Sequence, residues 1–355
     1  MTIAGVTSGV GSMLIGAKEL GYEVLGNVEW RNYYNTGTFE KNFNAPYTTD
    51  YSDIGHLKGA DVVMVHDDCG SFSNLNRNSK YTDHSIVCGR IQASIDAVKE
   101  IGPKFFAMDN LPKMLLTTNA AYWHEQFPDY DIHFEWVSNY GYGNIQKFRN
   151  RLFIIGSKKD LNFKFIANEI NHDISVMDTI SGCEGLPNHL SFPVDKRSYY
   201  KPTPEQEAIS YGELAEIFKV LKSGEPTTYI SNSREEKKNI GRLKLHSNKY
   251  SHTLMKEVAH YHPITGMPLT VRERARIQGF PDWFEFVISD KQHYNPIGMK
   301  QTGKAMPIQF TSYLAKIFKQ HIEDGGYSAT GTHIIKPNEI IEEANKCMLS
   351  LTQTH

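Results

Sequence analysis

Apolar runs and helical patterns alternate along the first part of the chain, up to about residue 155. Short apolar runs bounded by turn residues are typical of buried strands, and apolar residues three and four apart are typical of helices. The predicted strands are Ile3–Val6, Glu23–Val28, Asp61–Val65, Lys104–Met108, Ile132–Val137 and Leu152–Ile155. The predicted helices are Ser12–Leu20, Arg31–Asn42 and Ser85–Ile101. This alternation predicts an α/β fold with a doubly wound, mostly parallel sheet.

The pattern changes after about residue 158, where the periodicity weakens and polar residues dominate up to about residue 262. This stretch contains one predicted amphipathic helix, Glu205–Lys222, and a charged run at 233–238. Helical patterning returns later, at Val271–Gln278, Ile308–Ile322 and Pro337–Leu351. We therefore predict a main domain from residues 1–158 plus 263–323, a smaller irregular domain from 159–262, and a C-terminal tail from 324–355.

Composition narrows the class of protein without identifying it. The chain has 355 residues, 40% of them hydrophobic, and a net charge of −2, so it can bury a core and has no overall basic field. Its four cysteines (69, 88, 183 and 347) show no Cys-x-x-Cys spacing, which favours a reducing compartment over a zinc site. No positively charged leader follows Met1, and no apolar run approaches the ~20 residues of a membrane span. We expect a cytoplasmic protein without a metal.

The first strand leads into a turn that is suited to a nucleoside cofactor. Gly9 and Gly11 permit a tight turn and a close backbone approach to a ligand, although a lone Gly-x-Gly is a weak signal. Glu29 ends the second strand about 20 residues later, where an acid can bind ribose hydroxyls. Trp30 is placed to face an adenine, and Asp50, near the end of a third strand, is placed to contact it. The simpler alternative is a surface glutamate beside a core tryptophan.

A thiol follows the strand Asp61–Val65 at the sheet edge where open α/β proteins bind ligands. Most free cysteines only fill a core, but Cys69 is followed along the chain by residues that suit attack on an electron-poor ring. Asp109 ends the neighbouring strand, so its carboxyl can contact a ring nitrogen of a pyrimidine. Arg149 and Arg151, two apart, are expected on one side of an extended segment, where they can hold a carbonyl oxygen or a phosphate. A solvated salt-bridge face is the alternative for this arginine pair.

Taken in order, these residues resemble the motifs of the cytosine-C5 DNA methyltransferases over about residues 1–158 and 250–322. Asp68-Cys69-Gly70-Ser71-Phe72-Ser73 stands where the family has Pro-Cys-Gln-x-Phe-Ser. Asp109-Asn110-Leu111 stands where it has Glu-Asn-Val, and Arg149-Asn150-Arg151 matches its arginine motif. Leu269–Asp282 is close to the ninth motif and is the most specific match. Gln301–Pro307 resembles the last motif.

The resemblance implies a one-carbon transferase that acts on a cytosine flipped out of double-stranded DNA. It implies catalytic roles for Cys69, Asp109, Asn110, Arg149 and Arg151. It implies contacts with S-adenosylmethionine for Thr7, Ser8, Gly9, Gly11, Ser12, Glu29, Trp30, Asp50, Tyr51, Asp68, Lys304 and Met306. The unmatched middle would be the target-recognition domain. Its candidate DNA contacts are Lys196, Arg197, Tyr199, Tyr200, Lys201, Arg242 and Lys244. Ser251–Leu254 resembles the family segment that re-enters the backbone groove. The sequence gives no oligomeric state and no recognised DNA site.

Several positions depart from the family pattern. Asp68 replaces a proline, Gly70 a glutamine and Asp109 a glutamate, and Thr7 replaces an aromatic residue. One residue is added before Arg149, so either Gln146 or Lys147 fills the glutamine position. The departures leave two other classes of function open. One is a non-catalytic DNA-binding homologue, and the other is a catalyst for a different acceptor, such as RNA, a free nucleotide or a modified pyrimidine.

Lys304 is the sharpest departure, because the family has an asparagine there, close to the transferred group of the cofactor. An ammonium about 5 Å from a sulfonium, at an effective dielectric of about 20, repels it by on the order of 3 kcal/mol. Three arrangements avoid this repulsion. Lys304 swings to solvent, it pairs with Asp68, or the donor is carboxy-S-adenosylmethionine, whose carboxylate neutralises the lysine. The last arrangement predicts 5-carboxymethylcytosine as the product, and ordinary methyl transfer is the alternative.

Overall fold

The computed structural model describes most of the main domain and part of the middle one. The described residues are 1–30, 37–67, 69, 72, 84–170, 172–190, 194–195, 207, 209–220, 226–227, 242–255, 260–288 and 296–324, without the side chains of 84–88, 116–117, 226–227, 242–244, 296 and 324. Several predictions lie outside this set: those for Asp68, for the basic and aromatic residues 196–201, for the side chains of Arg242 and Lys244, for the charged run 233–238 and for the tail helix.

A seven-stranded sheet, in the order β3-β2-β1-β4-β5-β7-β6, forms the centre of the fold. The strands are β1 Thr2–Val6, β2 Glu23–Val28, β3 Tyr47–Thr48, β4 Val62–His66, β5 Phe105–Asn110, β6 Tyr130–Ser138 and β7 Asn150–Lys158. Only β7 runs opposite to the other strands of this sheet, because it pairs antiparallel with both β5 and β6. The predicted α/β fold with a mostly parallel sheet is confirmed.

Helices cover both faces of this sheet. The helices of the described chain are α1 Ile15–Glu19, α2 Thr38–Phe43, α3 His84–Ile101, α4 Met114–Thr117, α5 Ala120–Gln126, α6 Val176–Ile180, α7 Tyr211–Val220, α8 Val271–Gln278, α9 Pro296–Lys304 and α10 Ile308–Asp324, of which α6 and α7 pack outside the two cores of the sheet. Successive strand residues point to opposite faces, so Val62 and Met64 join one apolar core with α1 and α10, while Val63 and Val65 join the other with α3. None of the helices in these ranges is long and apolar enough to cross a membrane.

The middle of the chain contains a smaller sheet of three short strands, in the order β10-β9-β8. These are β8 Pro226–Thr227, β9 Arg242–Lys244 and β10 His260–Tyr261. Helix α8 connects segments of the middle of the chain to α9 and to the turn that follows α8 itself, through two buried arginines. Arg272 donates to the carbonyl oxygens of Pro187 and Phe284, and Arg274 donates to those of Met255 and Met299. Because each guanidinium uses several main-chain acceptors, these irregular segments are fixed around one helix.

Most predicted and observed bounds agree within a few residues. The helix predicted at Glu205–Lys222 begins at Tyr211, after Ser210, whose hydroxyl accepts from the N–H of Glu213. Other differences occur where glycine or a turn intervenes. The helix predicted at Ser12–Leu20 begins as a 3-10 turn, Ser12–Leu14, after Gly11 at φ 84°, and continues as α1. The described part of the helix predicted at Arg31–Asn42 begins at Thr38, after Gly37 at φ 87°. The third strand, β3, ends at Thr48, two residues before Asp50. Helix α8 has the predicted bounds.

Candidate active site

The candidate site lies where the carboxyl ends of the parallel strands meet. Thr7, Glu29 and Asp109 stand at the ends of β1, β2 and β5, and Cys69 follows β4. Because β7 is antiparallel, its beginning rather than its end lies at this edge, which brings Arg151 there. The register confirms this arrangement, since His66 pairs with Asp109 in the parallel ladder. The topology therefore gathers residues that are far apart in sequence at one edge.

The turn after β1 is tied to the end of β2 by hydrogen bonds. Thr7 adopts φ 52°, which is unusual for a β-branched residue, and its N–H donates to Val28 O at 2.7 Å. Ser8 Oγ donates to Asn27 Oδ1 at 2.7 Å, and Gly9 N–H donates to Glu29 Oε2 at 3.0 Å. Burial raises the pKa of Glu29, although the two main-chain N–H groups bound to it lower the pKa in part. The turn after β1 and the Glu29 carboxylate are thus held together by a hydrogen bond.

Gly11 cannot be replaced without moving the helix that follows the second strand. It has φ 84°, and a Cβ atom built there would lie 2.4 Å from Cε2 of Phe43. The following residue, Ser12, accepts a hydrogen bond at Oγ from the N–H of Met306 at 3.1 Å. The glycine turn therefore also contacts the segment after α9, as the predicted cofactor site requires.

Three other predicted cofactor residues lie at the ends of β2 and β3. Trp30 is 42% exposed, with the guanidinium carbon of Arg90 5.3 Å from its ring centroid. Asp50 is exposed, and Oδ1 accepts from Ser52 N and Oγ at 2.8 and 2.6 Å, bonds that lower its pKa. Burial and the charge of Asp67 raise the pKa of Tyr51. An exposed indole face and a half-buried phenol are consistent with an adenine site.

Cys69, Arg151 and Asp109 are brought together as predicted. Arg151 Nη2 lies 4.0 Å from Cys69 Sγ, and Arg151 Nε lies 3.6 Å from Asp109 Oδ2. Asp109 is 1% exposed and Arg151 9%. Two buried donors here, Arg151 Nε and Asn110 Nδ2, have no hydrogen-bond acceptor within the described ranges. The site therefore places a cation beside the sulfur and leaves donors available for a bound molecule.

Arg149 has different partners from Arg151. Its terminal nitrogens donate to the carbonyl oxygens of Leu254 and Ala305 at 2.9 and 2.7 Å. Burial and the neighbouring charge of Arg151 lower its pKa to about 9. Arg149 thus fixes the 251–255 segment and the turn after α9 against the site.

The structure also distinguishes the two candidates for the glutamine position. Gln146 is buried, donates to Gln278 Oε1 at 2.7 Å and accepts at Oε1 from Leu254 N at 2.8 Å. Lys147 is exposed, and its Nζ lies 4.8 Å from the ring centroid of Tyr250. Gln146 therefore occupies the interior, and the residue added before Arg149 places Lys147 on the surface.

The sequence prediction missed His66. Its Nδ1 lies 2.5 Å from Asp109 Oδ1, and its Nε2 lies 2.9 Å from the carbonyl oxygen of Lys304. Burial lowers the pKa of His66, but the charge and hydrogen bond of Asp109 outweigh this, and the net shift is upward. The available signal was positional, because His66 precedes Cys69 by three residues at the end of a strand adjacent to Asp109.

Asp67 was also missed. It is 3% exposed, and Oδ1 accepts from Ser94 Oγ at 2.7 Å and from Thr7 Oγ1 at 3.2 Å. Its Oδ2 has no hydrogen-bond donor within the described ranges. Burial raises the pKa of Asp67 to about 7. The Asp67 carboxyl therefore holds the Thr7 hydroxyl by a hydrogen bond. With a pKa of about 7, the charge of this carboxyl changes near neutral pH.

Lys304 ends α9 and is half-buried. Its positive charge is close enough to Glu29 to lower the pKa of that carboxyl, against the larger effect of burial. Asp68, the other predicted partner of Lys304, lies outside the described residues. Within those residues, no group of three or more His, Cys, Asp or Glu side chains is placed to hold a metal ion.

Comparison with known proteins gives a consistent result. The family described as C-5 cytosine-specific DNA methylase matches residues 1–320. The chain is 26% identical over 348 residues to the type II methyltransferase M.MthTI of Methanothermobacter thermautotrophicus, covering 91% of this chain and 98% of that protein. It is 25% identical over 355 residues to the type II methyltransferase M.FnuDI of Fusobacterium nucleatum, covering 91% and 96%.

Solved structures share the fold. A prophage-encoded protein of E. coli, described as a DNA modification methyltransferase, superposes with a TM-score of 0.64 at 22% identity, covering 89% of this chain and 97% of that one. A mutant of the Spodoptera frugiperda protein DNMT2 superposes with a TM-score of 0.57 at 14% identity, covering 90% and 99%.

Proposed function

Because the chain belongs to the C-5 cytosine-specific DNA methylase family, we propose that it transfers a one-carbon group to C5 of a cytosine in DNA through a covalent bond between Cys69 and the base. The observation that carries this proposal is the position of Arg151 between Cys69 Sγ, at 4.0 Å, and the Asp109 carboxylate, at 3.6 Å. A guanidinium at this distance stabilises negative charge on the sulfur. The same cation keeps the carboxylate oriented towards the site.

In the proposed reaction, Sγ adds to C6 of a cytosine that has left the base stack. Asp109 contacts N3, and the amide of Asn110 is a donor for the carbonyl oxygen of the base. When bound, the sulfonium donor supplies the electrophilic carbon that C5 attacks. Loss of the C5 proton then breaks the bond between sulfur and C6, which restores both the ring and the sulfur anion.

The residues around the glycine turn fit a sulfonium nucleoside. Glu29 has each carboxylate oxygen oriented by a main-chain N–H, from Gly9 and Trp30, which leaves lone pairs for ribose hydroxyls. The exposed face of Trp30 suits an adenine. The link between Ser12 and Met306 closes the site on the other side.

The acceptor proposed is double-stranded DNA, with residues 159–262 as the target-recognition domain and residues 1–158 plus 263–323 as the catalytic domain. A surface beside the catalytic arginines supports DNA as the polymer. The ammonium of Lys147 lies over the rings of Tyr250 and Tyr140, at 4.8 and 5.9 Å, and Phe148 beside it is 37% exposed. A cation among exposed aromatic rings suits phosphates and unstacked bases.

A covalent trap tests this proposal. In the presence of S-adenosylmethionine or carboxy-S-adenosylmethionine, random-sequence duplexes carrying 5-fluorocytosine should form a complex with the native protein that survives denaturation, because after transfer of the alkyl group fluorine cannot leave C5 as a proton does. Cys69→Ser should give no such complex while it still binds the duplex. If the native protein binds DNA and donor but forms no adduct, the non-catalytic DNA-binding alternative holds.

We further propose carboxy-S-adenosylmethionine as the donor, with the transferred carboxylate paired to Lys304. The support is the half-buried position of Lys304 and its electrostatic effect on Glu29, the carboxylate that we propose binds the ribose. The positive sulfonium of S-adenosylmethionine, at about 5 Å from the ammonium and without a carboxylate to neutralise it, would meet a repulsion of about 3 kcal/mol, or roughly a hundredfold loss of affinity, at a dielectric of about 20. The negative charge of Glu29 opposes that repulsion and is the feature that would permit ordinary S-adenosylmethionine.

Nucleoside analysis of DNA from cells that express the protein identifies the group transferred. We expect 5-carboxymethylcytosine, and 5-methylcytosine alone would reject the carboxylated donor but not the transfer reaction. In direct binding, Lys304→Asn should shift preference towards S-adenosylmethionine. Lys300→Asn, on the same helix, serves as the matched control and should leave the preference unchanged.

A further inference from the structure

The imidazole of His66 connects the catalytic carboxyl to the end of α9. Nε2 faces the carbonyl oxygen of Lys304 at 2.9 Å, and a carbonyl only accepts, so Nε2 carries a hydrogen. Nδ1 faces Asp109 Oδ1 at 2.5 Å. This contact is either an imidazolium that donates to a carboxylate or a carboxylic acid that donates to a neutral ring. In both cases one proton lies between the two residues.

We propose that His66 holds the proton that Asp109 delivers to N3 of the target cytosine, so that the pair rather than the carboxyl alone is the general acid. This inference rests on the proposed function, because it requires Asp109 to contact the base. A carboxyl with an ordinary pKa carries almost no proton at neutral pH, whereas an imidazole titrates in that range. His66 therefore supplies what an isolated aspartate lacks.

The charges around His66 favour retention of this proton. Arg151, across the carboxylate, acts against protonation of His66. Asp109 acts for it, through both its charge and its hydrogen bond, and the Lys304 carbonyl acts in the same direction. Glu29 and Asp67 also interact electrostatically with the His66 ring. The charge of the ring lowers the pKa of each carboxyl in part, against the larger effect of burial. The side chains of His66 and Asp109 are only 12% and 2% exposed, so water does not displace the contact.

The proton is balanced through the reaction. As the bond between Cys69 Sγ and C6 forms, N3 takes the proton from Asp109, and Nδ1 of His66 passes its own hydrogen to the carboxylate or has already done so. The pair is then a neutral imidazole and a carboxylate. When the C5 proton is lost, the electrons of the C5–H bond re-form the double bond between C5 and C6, the sulfur leaves with the electron pair of the C6–S bond, and N3 gives its proton back to the pair. The hydrogen lost from C5 goes to solvent and does not involve His66.

Two variants separate proton supply from hydrogen bonding. His66→Asn keeps an N–H near Asp109 but has no titratable proton, and His66→Gln keeps a donor for the Lys304 carbonyl only. The assay is tritium release from C5 of cytosine in random-sequence duplexes, measured across the pH range, which reports turnover whichever donor is used. His124→Asn, at an exposed histidine of α5, is the matched control.

We expect the native rate to fall as pH rises through the raised pKa of His66, and we expect this fall to be absent in His66→Asn. At neutral pH the rate of His66→Asn should be lower by about a hundredfold, the usual scale of acid catalysis. A native-like rate and pH profile in His66→Asn would overturn the role of His66 while leaving the transfer reaction intact. Absence of tritium release and of the fluorocytosine adduct in the native protein would instead overturn the proposed function, and this role with it.

A second measurement does not depend on activity or on the variants' folding. In the native protein labelled with 15N-histidine, Nδ1 of His66 should report the shared proton at neutral pH, either as a protonated ring or as a neutral ring that accepts a hydrogen bond, and this signal should be lost only above the ordinary pKa of histidine. An Nδ1 that neither carries a proton nor accepts a hydrogen bond at neutral pH would show that the pair holds no proton, and would overturn the proposal.

Discussion

Replacement of Arg151 by glutamine tests the electrostatics of the site most directly. At 4.0 Å and an effective dielectric of about 20, a guanidinium attracts a sulfur anion by about 4 kcal/mol. Arg151 is 9% exposed, so solvent screens little of this attraction. The same change removes the partner 3.6 Å from Asp109 Oδ2 and leaves that carboxylate to His66. We therefore expect adduct formation to slow by roughly a hundredfold to a thousandfold.

The assay is the single-turnover rate of complex formation on random-sequence fluorocytosine duplexes with either donor, resolved on a denaturing gel. Arg149→Gln is a comparison variant, because the terminal nitrogens of Arg149 donate to two main-chain carbonyls while its charge also interacts with Cys69. That variant should lose about 2 to 4 kcal/mol of unfolding free energy in urea, since it leaves buried acceptors unpaired. If Arg151→Gln stays folded and forms the complex at the native rate, the guanidinium does not support the sulfur and the electrostatic argument is wrong.

Three further changes have defined outcomes. Burial raises the pKa of Asp67 to about 7, so the native carboxyl keeps a proton that the unfolded chain releases from about pH 4 upward. The stability that this bound proton gives the native state is lost as pH rises through 7. Asp67→Asn should therefore be more stable than the native protein by on the order of 2 kcal/mol at about pH 8, with little difference near pH 4, in urea titrations. Thr270→Ala removes the capping box of α8 with Glu273 and should cost about 1 kcal/mol in the same titrations. Ser175→Ala in the exposed box of α6 is its control and should cost less; equal costs would contradict the importance of burial. Gly11→Ala should abolish donor binding in calorimetry, because its Cβ would overlap Phe43, and unchanged binding would show that the turn relaxes.

The sequence predicted the main sheet well because its strands are short apolar runs with strong boundaries. Parallel strands buried on both faces, such as β4, leave a clear pattern, and the strand order brings their ends to one edge. Cys69, Asp109 and Arg151 were therefore predictable as neighbours from their places at strand termini. The contact of Arg149 with Leu254 and Ala305 was not, because it depends on how irregular segments return to the sheet.

The two residues missed at the site show a different limit. His66 and Asp67 have no local pattern of their own, and their roles arise from neighbours 43 and 27 residues away, Asp109 and Ser94. Burial alters their proton affinity, and burial of one side chain follows from the packing of several elements. Spacing rules report which face of a strand a residue occupies, but they do not report the partner that it meets there.

The bond from His66 reaches residue 304 through its peptide oxygen, which every amino acid possesses. The side chain at that position can consequently change in evolution without loosening the imidazole. In the proposed mechanism, the side chain of residue 304 selects the donor and its peptide oxygen holds His66, so selection on these two properties acts on separate atoms of a single residue. One substitution at this position would then change the donor and leave the proposed acid chemistry unchanged.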